Sequence, residues 1–188
     1  MHPLNGSFSV NPDAVRSHSI PCAPFQLEPF REEHRDGMYR ICLLTGDSGA
    51  DGTHLYPNDW QALGRRWVAP YLDLEPGLSF ALVDGTAVVG YVLASADTQQ
   101  MYRALSTWYF PRLASHFPDP LSDSCSRLSQ CERDMCAEYH RPSLSLPTGV
   151  STSEYPAHLH IDLASCAQRK GCGTIMINVI TTNLVRLG

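Results

Sequence analysis

Two apolar, β-rich runs, residues 78–83 and 86–96, are separated only by Asp84-Gly85. A two-residue Asp-Gly connection accepts the positive φ angles that a type I′ hairpin requires. That pattern commits the middle of the chain to an antiparallel pair, and the rest must be arranged around it. Upstream, residues 25–30 alternate apolar and polar as a strand does. Residues 34–44 place Met38, Ile41 and Cys42 on one helical face. Trp60, Leu63, Trp67 and Tyr71 recur at helical spacing, which predicts a helix over 60–72 with an aromatic core stripe. Downstream, residues 99–110 read as a helix that Pro111 kinks or restarts.

Residues 157–163 form a further strand, with Leu159, Ile161 and Leu163 on one face and His158, His160 and Asp162 on the other. A glycine-containing loop, 168–173, follows. In 174–187 the polar positions Thr174, Asn178, Thr182 and Arg186 repeat every four residues, which predicts a largely buried helix. The stretch 118–156 is rich in Pro and Ser, with a short helix over 124–139. It reads as an insertion between core elements. Residues 1–24 lack periodicity and read as a disordered tail. The expected organisation is one α/β (α+β) domain over 25–188, with a central sheet flanked by helices.

Composition narrows the function. The 188 residues carry a formal charge of −5, which argues against a general nucleic-acid binder. No apolar run approaches a membrane span, and the N-terminus lacks a secretory h-region. Seven cysteines without a C-x-x-C pair suit a reduced, cytoplasmic or nuclear protein.

The loop Gln168-Arg169-Lys170-Gly171-Cys172-Gly173 is the most informative chemistry. A glycine loop opening a helix lets backbone N–H groups approach a phosphate, and Arg169 and Lys170 add full charge. It fits neither the Walker nor the Rossmann pattern. An ordinary glycine turn is the alternative on spacing alone. For proton transfer, Asp97, His158 and His160 are candidates, with imidazole suited to neutral pH. Asp97 reads equally as a helix cap, and the histidines with Asp162 as a plain polar strand face. Asp47 and Asp51 suit a substrate-side loop or an ordinary surface turn. A metal site on His158 and His160, completed by His140 or Asp162, has no supporting spacing; none is expected.

Gln-x-x-Gly-x-Gly between a strand and a helix resembles the acetyl-CoA pyrophosphate loop of the GNAT N-acetyltransferases. The element order agrees. Segments 39–53, 60–72, 90–97, 108–111 and 155–163 resemble one subgroup, the stand-alone acetyltransferases related to the GNAT-like C-terminal domain of O-GlcNAc hydrolases. The resemblance implies a GNAT-like mixed central sheet and acetyl-CoA as co-substrate. It implies acetyl transfer to a primary amine, on a small molecule or a peptide, by direct attack on the thioester. Backbone groups of Leu163 and Ala164 would pair with pantetheine. Gln168, Arg169, Lys170, Gly171, Gly173 and Thr174 would surround the pyrophosphate. The chain departs from the pattern at Ser165, where relatives usually carry Pro, and at Cys166 and Ala167. Family members continue past this helix with further strands and a helix. The sequence therefore reads as a C-terminally truncated member, with strand 157–163 left as an edge that can pair with another chain. A non-catalytic acyl-CoA-binding, regulatory or interaction domain is the alternative.

Overall fold

In the computed structural model the described residues are 18–19, 25–143 and 149–187. The tail reading of 1–24 lies outside them, apart from His18–Ser19, which form a two-residue strand β1. β2 (Phe25–Pro29) buries Phe25 and Leu27, as its alternation predicts. α1 (Arg35–Leu44) buries Met38, Ile41 and Cys42 together with Tyr39 and Leu43.

The helix expected over 60–72 is two helices, α2 (Ala62–Trp67) and α3 (Ala69–Leu74). Val68, between them, is stretched to φ −113°, about 50° from the usual helical φ. Pro70 lies in the first turn of α3, where its missing N–H costs nothing. The aromatic stripe splits with the helix. Tyr71 is buried, whereas Trp67 is 43% exposed.

β3 (Ser79–Asp84) and β4 (Ala87–Ser95) form the hairpin with Asp84 opposite Ala87. The turn is therefore Gly85-Thr86, one residue later than the dipeptide signal suggests. Only Gly85 takes a positive φ, +60°, and a turn with glycine alone in that region is the II′ type. α4 (Thr98–Ala104) widens into a π turn over Leu105–Tyr109, where the Phe110 N–H reaches back to the Leu105 carbonyl. Pro111 has no N–H to offer Thr107. The π turn absorbs that loss, and the chain continues into α5 (Phe110–Ala114).

Within the insertion, α6 (Gln130–His140) begins at Ser129, whose hydroxyl accepts from the Glu132 N–H while the Glu132 carboxylate accepts from the Ser129 N–H. The helix is bound into the core through Tyr139, 1% exposed, which stacks against Phe110 and Phe117. β5 (His158–Leu163) pairs with β4, and α7 (Cys172–Leu187) closes the described chain.

The sheet order is β1-β2-β3-β4-β5, and every pairing is antiparallel. One face carries α1–α6 over Tyr91 and Leu93; the other carries α7 over Phe80, Leu82 and Val92. α7 buries Cys172, Met176, Val179 and Ile180. At roughly 1.5–3 kcal/mol per buried large aliphatic side chain, that stripe alone anchors it. The expectation of a largely buried helix holds for this stripe only: Ile177, Val185 and Leu187 are exposed. Among the described residues no helix is long and apolar enough to cross a membrane.

The Ala164 N–H donates to the Val89 carbonyl. Alternation along an antiparallel ladder then turns the backbone of His158, His160 and Asp162 toward β4, and that of Leu159, Ile161 and Leu163 away from it. Among the described residues no strand covers that outer side.

Candidate active site

The polar face of β5 floors a cavity of about 490 Å³. α1 contributes Cys42 at its C-terminal end, with Thr45 just beyond. α2 and α3 contribute Leu63, Trp67 and Tyr71. The start of α4 contributes Thr98 and Tyr102, and the segment entering β5 supplies Thr152 and Tyr155. That segment is held in place. The Pro156 carbonyl accepts from both the N–H and the hydroxyl of Thr98, and the Gln99 side-chain amide donates to the Thr152 hydroxyl.

The contacts of His158 accommodate the tautomer protonated at Nδ1. The Thr98 hydroxyl has one proton and gives it to the Pro156 carbonyl at 2.7 Å. At 2.7 Å from His158 Nδ1 it can then accept the ring proton of that tautomer. The lone pair of Nε2 faces the Tyr71 hydroxyl at 2.8 Å, which donates to it. Burial, and secondarily the nearby His160, hold the His158 pKa below its ordinary value, which keeps the ring neutral. Burial also pushes the Tyr71 phenol up, so it stays protonated.

His160 is different. Its Nδ1 lies 3.2 Å from the Trp67 carbonyl and its Nε2 lies 3.3 Å from an Asp162 carboxylate oxygen. Both partners are acceptors, and the ring is held between them. Asp162 also accepts from the Tyr91 hydroxyl. Burial pushes the Asp162 carboxyl up, but the hydrogen bonds from His160 and Tyr91 outweigh it and hold the pKa below the usual carboxylate value. Beneath them burial drives the Cys42 thiol up to about 12, so it is no thiolate nucleophile.

Asp97 is not part of this group. It is exposed, and its carboxylate accepts from the Gln100 N–H at 2.9 Å as the N-cap of α4. Asp51 likewise makes a local turn with Thr53, and Asp47 bridges to Ala50 through its backbone. Among the described residues no three His, Cys, Asp or Glu side chains converge in a metal-binding arrangement.

The glycine loop lies at the other end of β5. Five residue steps separate Leu163 from His158, about 17 Å of extended strand. Ser165–Ala167 form one 3-10 turn with Ala167 fully buried, so the connection that lacks the usual proline is held by its own hydrogen bonds. Arg169 takes φ +58° and Gly171 φ +80°. A left-handed arginine costs of order 1 kcal/mol, and the loop keeps that strain. α7 begins at Cys172, two residues earlier than expected, so Gly173 and Thr174 lie in its first turn, where amides have no intrahelical acceptor. A Cβ at Gly173 would meet only Leu163 Cδ1, at 3.6 Å. The Lys170 ammonium sits over the Phe25 ring at 5.0 Å. The Gln168 side chain folds back to donate to the Leu163 carbonyl at 2.9 Å, and the Ala164 N–H is spent on Val89. Of the backbone groups at the end of β5, the Leu163 N–H is turned to the open side.

Sequence reasoning places His158 and His160 here. It passes over Tyr71, Thr98 and Tyr91. The one signal for Tyr71 is its spacing four residues from Trp67, which puts both rings on one helical face.

The fold is acetyltransferase-like, a helix-flanked antiparallel sheet with a glycine loop opening the helix after β5. No protein-family model matches the chain. Among solved structures it is similar to the crystal structure of SsHAT, with 32% sequence identity, a TM-score of 0.73, and coverage of 87% of this chain and 78% of that one. The chain belongs to the same family as SsHAT.

Proposed function

We propose that the chain is an acetyl-CoA-dependent N-acetyltransferase that acts on a primary amine held in the β5 cavity. The observation that carries this reading is the neutral His158, with its basic Nε2 reaching the cavity through the Tyr71 hydroxyl. Family membership and the acetyltransferase-like fold supply the reaction class.

The glycine loop suits a pyrophosphate. The first-turn amides of Gly173 and Thr174, the open space at Gly171 and the cations of Arg169 and Lys170 all fit an anion at a helix N-terminus. The outward Leu163 N–H suits an amide carbonyl of the pantetheine arm. When bound, acetyl-CoA supplies the thioester that the amine attacks. The amine nitrogen bonds to the acetyl carbon as the C–S bond breaks. Its proton passes to the Tyr71 oxygen while the Tyr71 proton moves to His158 Nε2. His158 keeps that proton and later yields it to solvent, while the departing thiolate takes one from water, so the N–H and C–S bonds broken are matched by the C–N and S–H bonds formed. Thr98 holds the Nδ1 proton throughout, so the imidazolium forms with both nitrogens hydrogen-bonded. His160, with its two nitrogens against the Trp67 carbonyl and the Asp162 carboxylate, is held in place beside Asp162 rather than offered to the amine.

A second reading is acyl-CoA binding without transfer: with fewer backbone partners for the pantetheine arm, the thioester is held too loosely to be attacked. The Leu163 carbonyl and the Ala164 N–H, which the GNAT resemblance assigns to pantetheine, are both partnered within the chain. Calorimetric titration with acetyl-CoA, followed by mass detection of acetylated amine, separates the two. Binding with turnover supports the transferase. Binding without turnover supports the second reading. No heat from a chain whose folding is confirmed by circular dichroism overturns both.

A further inference from the structure

The β5 cavity also constrains the acceptor, and this inference rests on the transferase reading of the same site. Its walls are mainly rings. Trp67 and Tyr155 are exposed at 43% and 67%, and Tyr71 and Tyr102 stand edge-on to His158 at 5.5 and 6.0 Å. Leu63, Val150 and Leu159 complete the apolar surface.

The charges are equally informative. Among the residues that line the cavity there is no lysine or arginine, so nothing there is built to receive a carboxylate or phosphate on the acceptor. Arg66 is close by, but its guanidinium lies against the Trp67 ring at 3.9 Å and is paired with Glu138 at 2.7 Å. Asp162 is the one carboxylate of the lining, and it already holds Tyr91 and His160. Among the described residues of the lining there is no second carboxylate to hold a second ammonium. Burying an unpaired charge in such a site is costly, so a polycation or a zwitterion is disfavoured.

We infer that the acceptor is an apolar monoamine: one primary amine on a ring-sized hydrocarbon body, with no acidic group and no second cationic centre. The amine is placed at the Tyr71 hydroxyl and the body against Trp67, Tyr102 and Tyr155. A cavity of about 490 Å³ is in the range that holds such a molecule.

The test measures binding first, so that it does not depend on turnover. The full chain is titrated, with and without coenzyme A, against 2-phenylethylamine, spermidine, free lysine and a lysine-containing peptide. Calorimetry and tryptophan fluorescence are read together. Phenylethylamine is expected to bind at least about tenfold more tightly than spermidine or lysine, roughly the discrimination that one mismatched polar group confers. Its fluorescence change should vanish in Trp67→Phe. Tyr155→Ala, at an exposed position that cannot decide folding, should weaken it roughly three- to tenfold. Spermidine, lysine or the peptide binding as tightly as phenylethylamine overturns the inference, as does failure of all four to bind in either arm. The transferase reading fails separately, when phenylethylamine binds but no acetylated product forms with acetyl-CoA.

Discussion

Tyr71→Phe isolates the proton path. The substitution removes one oxygen and keeps the ring, which stays edge-on to His158 with centroids 5.5 Å apart. Packing is therefore conserved, and what is lost is a single hydrogen bond of 2.8 Å. His158 Nε2 is left as an acceptor without its donor in a partly buried setting. Such a group costs about 1–3 kcal/mol. For a chain of this size roughly 2–4 °C of melting temperature follows each kcal/mol, so thermal unfolding should shift down by about 2–12 °C. The effect on chemistry should be larger. Positioned general-base catalysis contributes about 10²–10⁴ in rate, and that factor should be lost from kcat while KM stays near wild type, because the cavity wall is intact. The assay follows thiol release from acetyl-CoA with an amine acceptor across pH 6–9, alongside thermal unfolding. Thr98→Val serves as a control on the same ring: it frees Nδ1, loosens the tautomer and should move the pH profile. A Tyr71→Phe protein whose melting temperature falls but whose kcat stays within threefold of wild type would refute the relay, since the bond would then exist and carry no proton.

Three further outcomes follow from the same coordinates. Gly173→Glu should abolish acetyl-CoA binding in calorimetry while the protein remains folded, because the new Cβ meets only Leu163 Cδ1 at 3.6 Å and an acidic residue suits a helix first turn; retained affinity would mean the loop holds no pyrophosphate. His158 is partly buried, and burial holds its pKa below the unfolded value of about 6.5. Its contribution is therefore complete above that pH and is lost as pH falls toward the folded pKa. Wild type minus His158→Gln, by urea unfolding between pH 7.5 and 5, should show stability falling by at most about 1.4 kcal/mol per pH unit. The difference is needed because burial raises the Glu75 pKa, which acts with the opposite sign. Gly64→Ala should cost about 1–3 kcal/mol in urea unfolding, since its Cβ would lie 2.2 Å from the Tyr39 ring where α1 and α2 touch; a neutral result would show that the two helices separate easily.

The elements that rest on periodicity are legible in the sequence. β2 and α1 lie where alternation or helical spacing puts them, because each buries one face; β3 and β4, buried on both faces, follow from unbroken apolar runs, and β5 follows its alternation. Where backbone chemistry competes with periodicity, the sequence misleads. Val68 breaks a helix whose apolar spacing runs on, and the Asp-Gly dipeptide marks the hairpin turn one residue early. Ser129-x-x-Glu132 carries a legible start signal for α6 that the surrounding Pro/Ser composition obscures. In the site, alternation brings His158, His160 and Asp162 to one face. It cannot reveal that His158 receives a donor from α3 and an acceptor from α4, because those partners are 87 and 60 residues away in the chain.

Glu75 has a role that extends to the cavity. It follows α3 directly, is 1% exposed, and its carboxylate accepts from the Ser95 hydroxyl and the Ala96 N–H at the end of β4. Two residues later the chain reaches Thr98, which grips His158; His158 grips Tyr71, and Tyr71 belongs to α3 again. The contacts form a closed circuit that starts and ends on one short helix. In such a circuit no single ring can rotate without opening a bond elsewhere, so the imidazole is clamped at both nitrogens before any acceptor arrives. The hydroxyl protons of Thr98 and Tyr71 should consequently exchange slowly enough with water to give their own magnetic resonance signals.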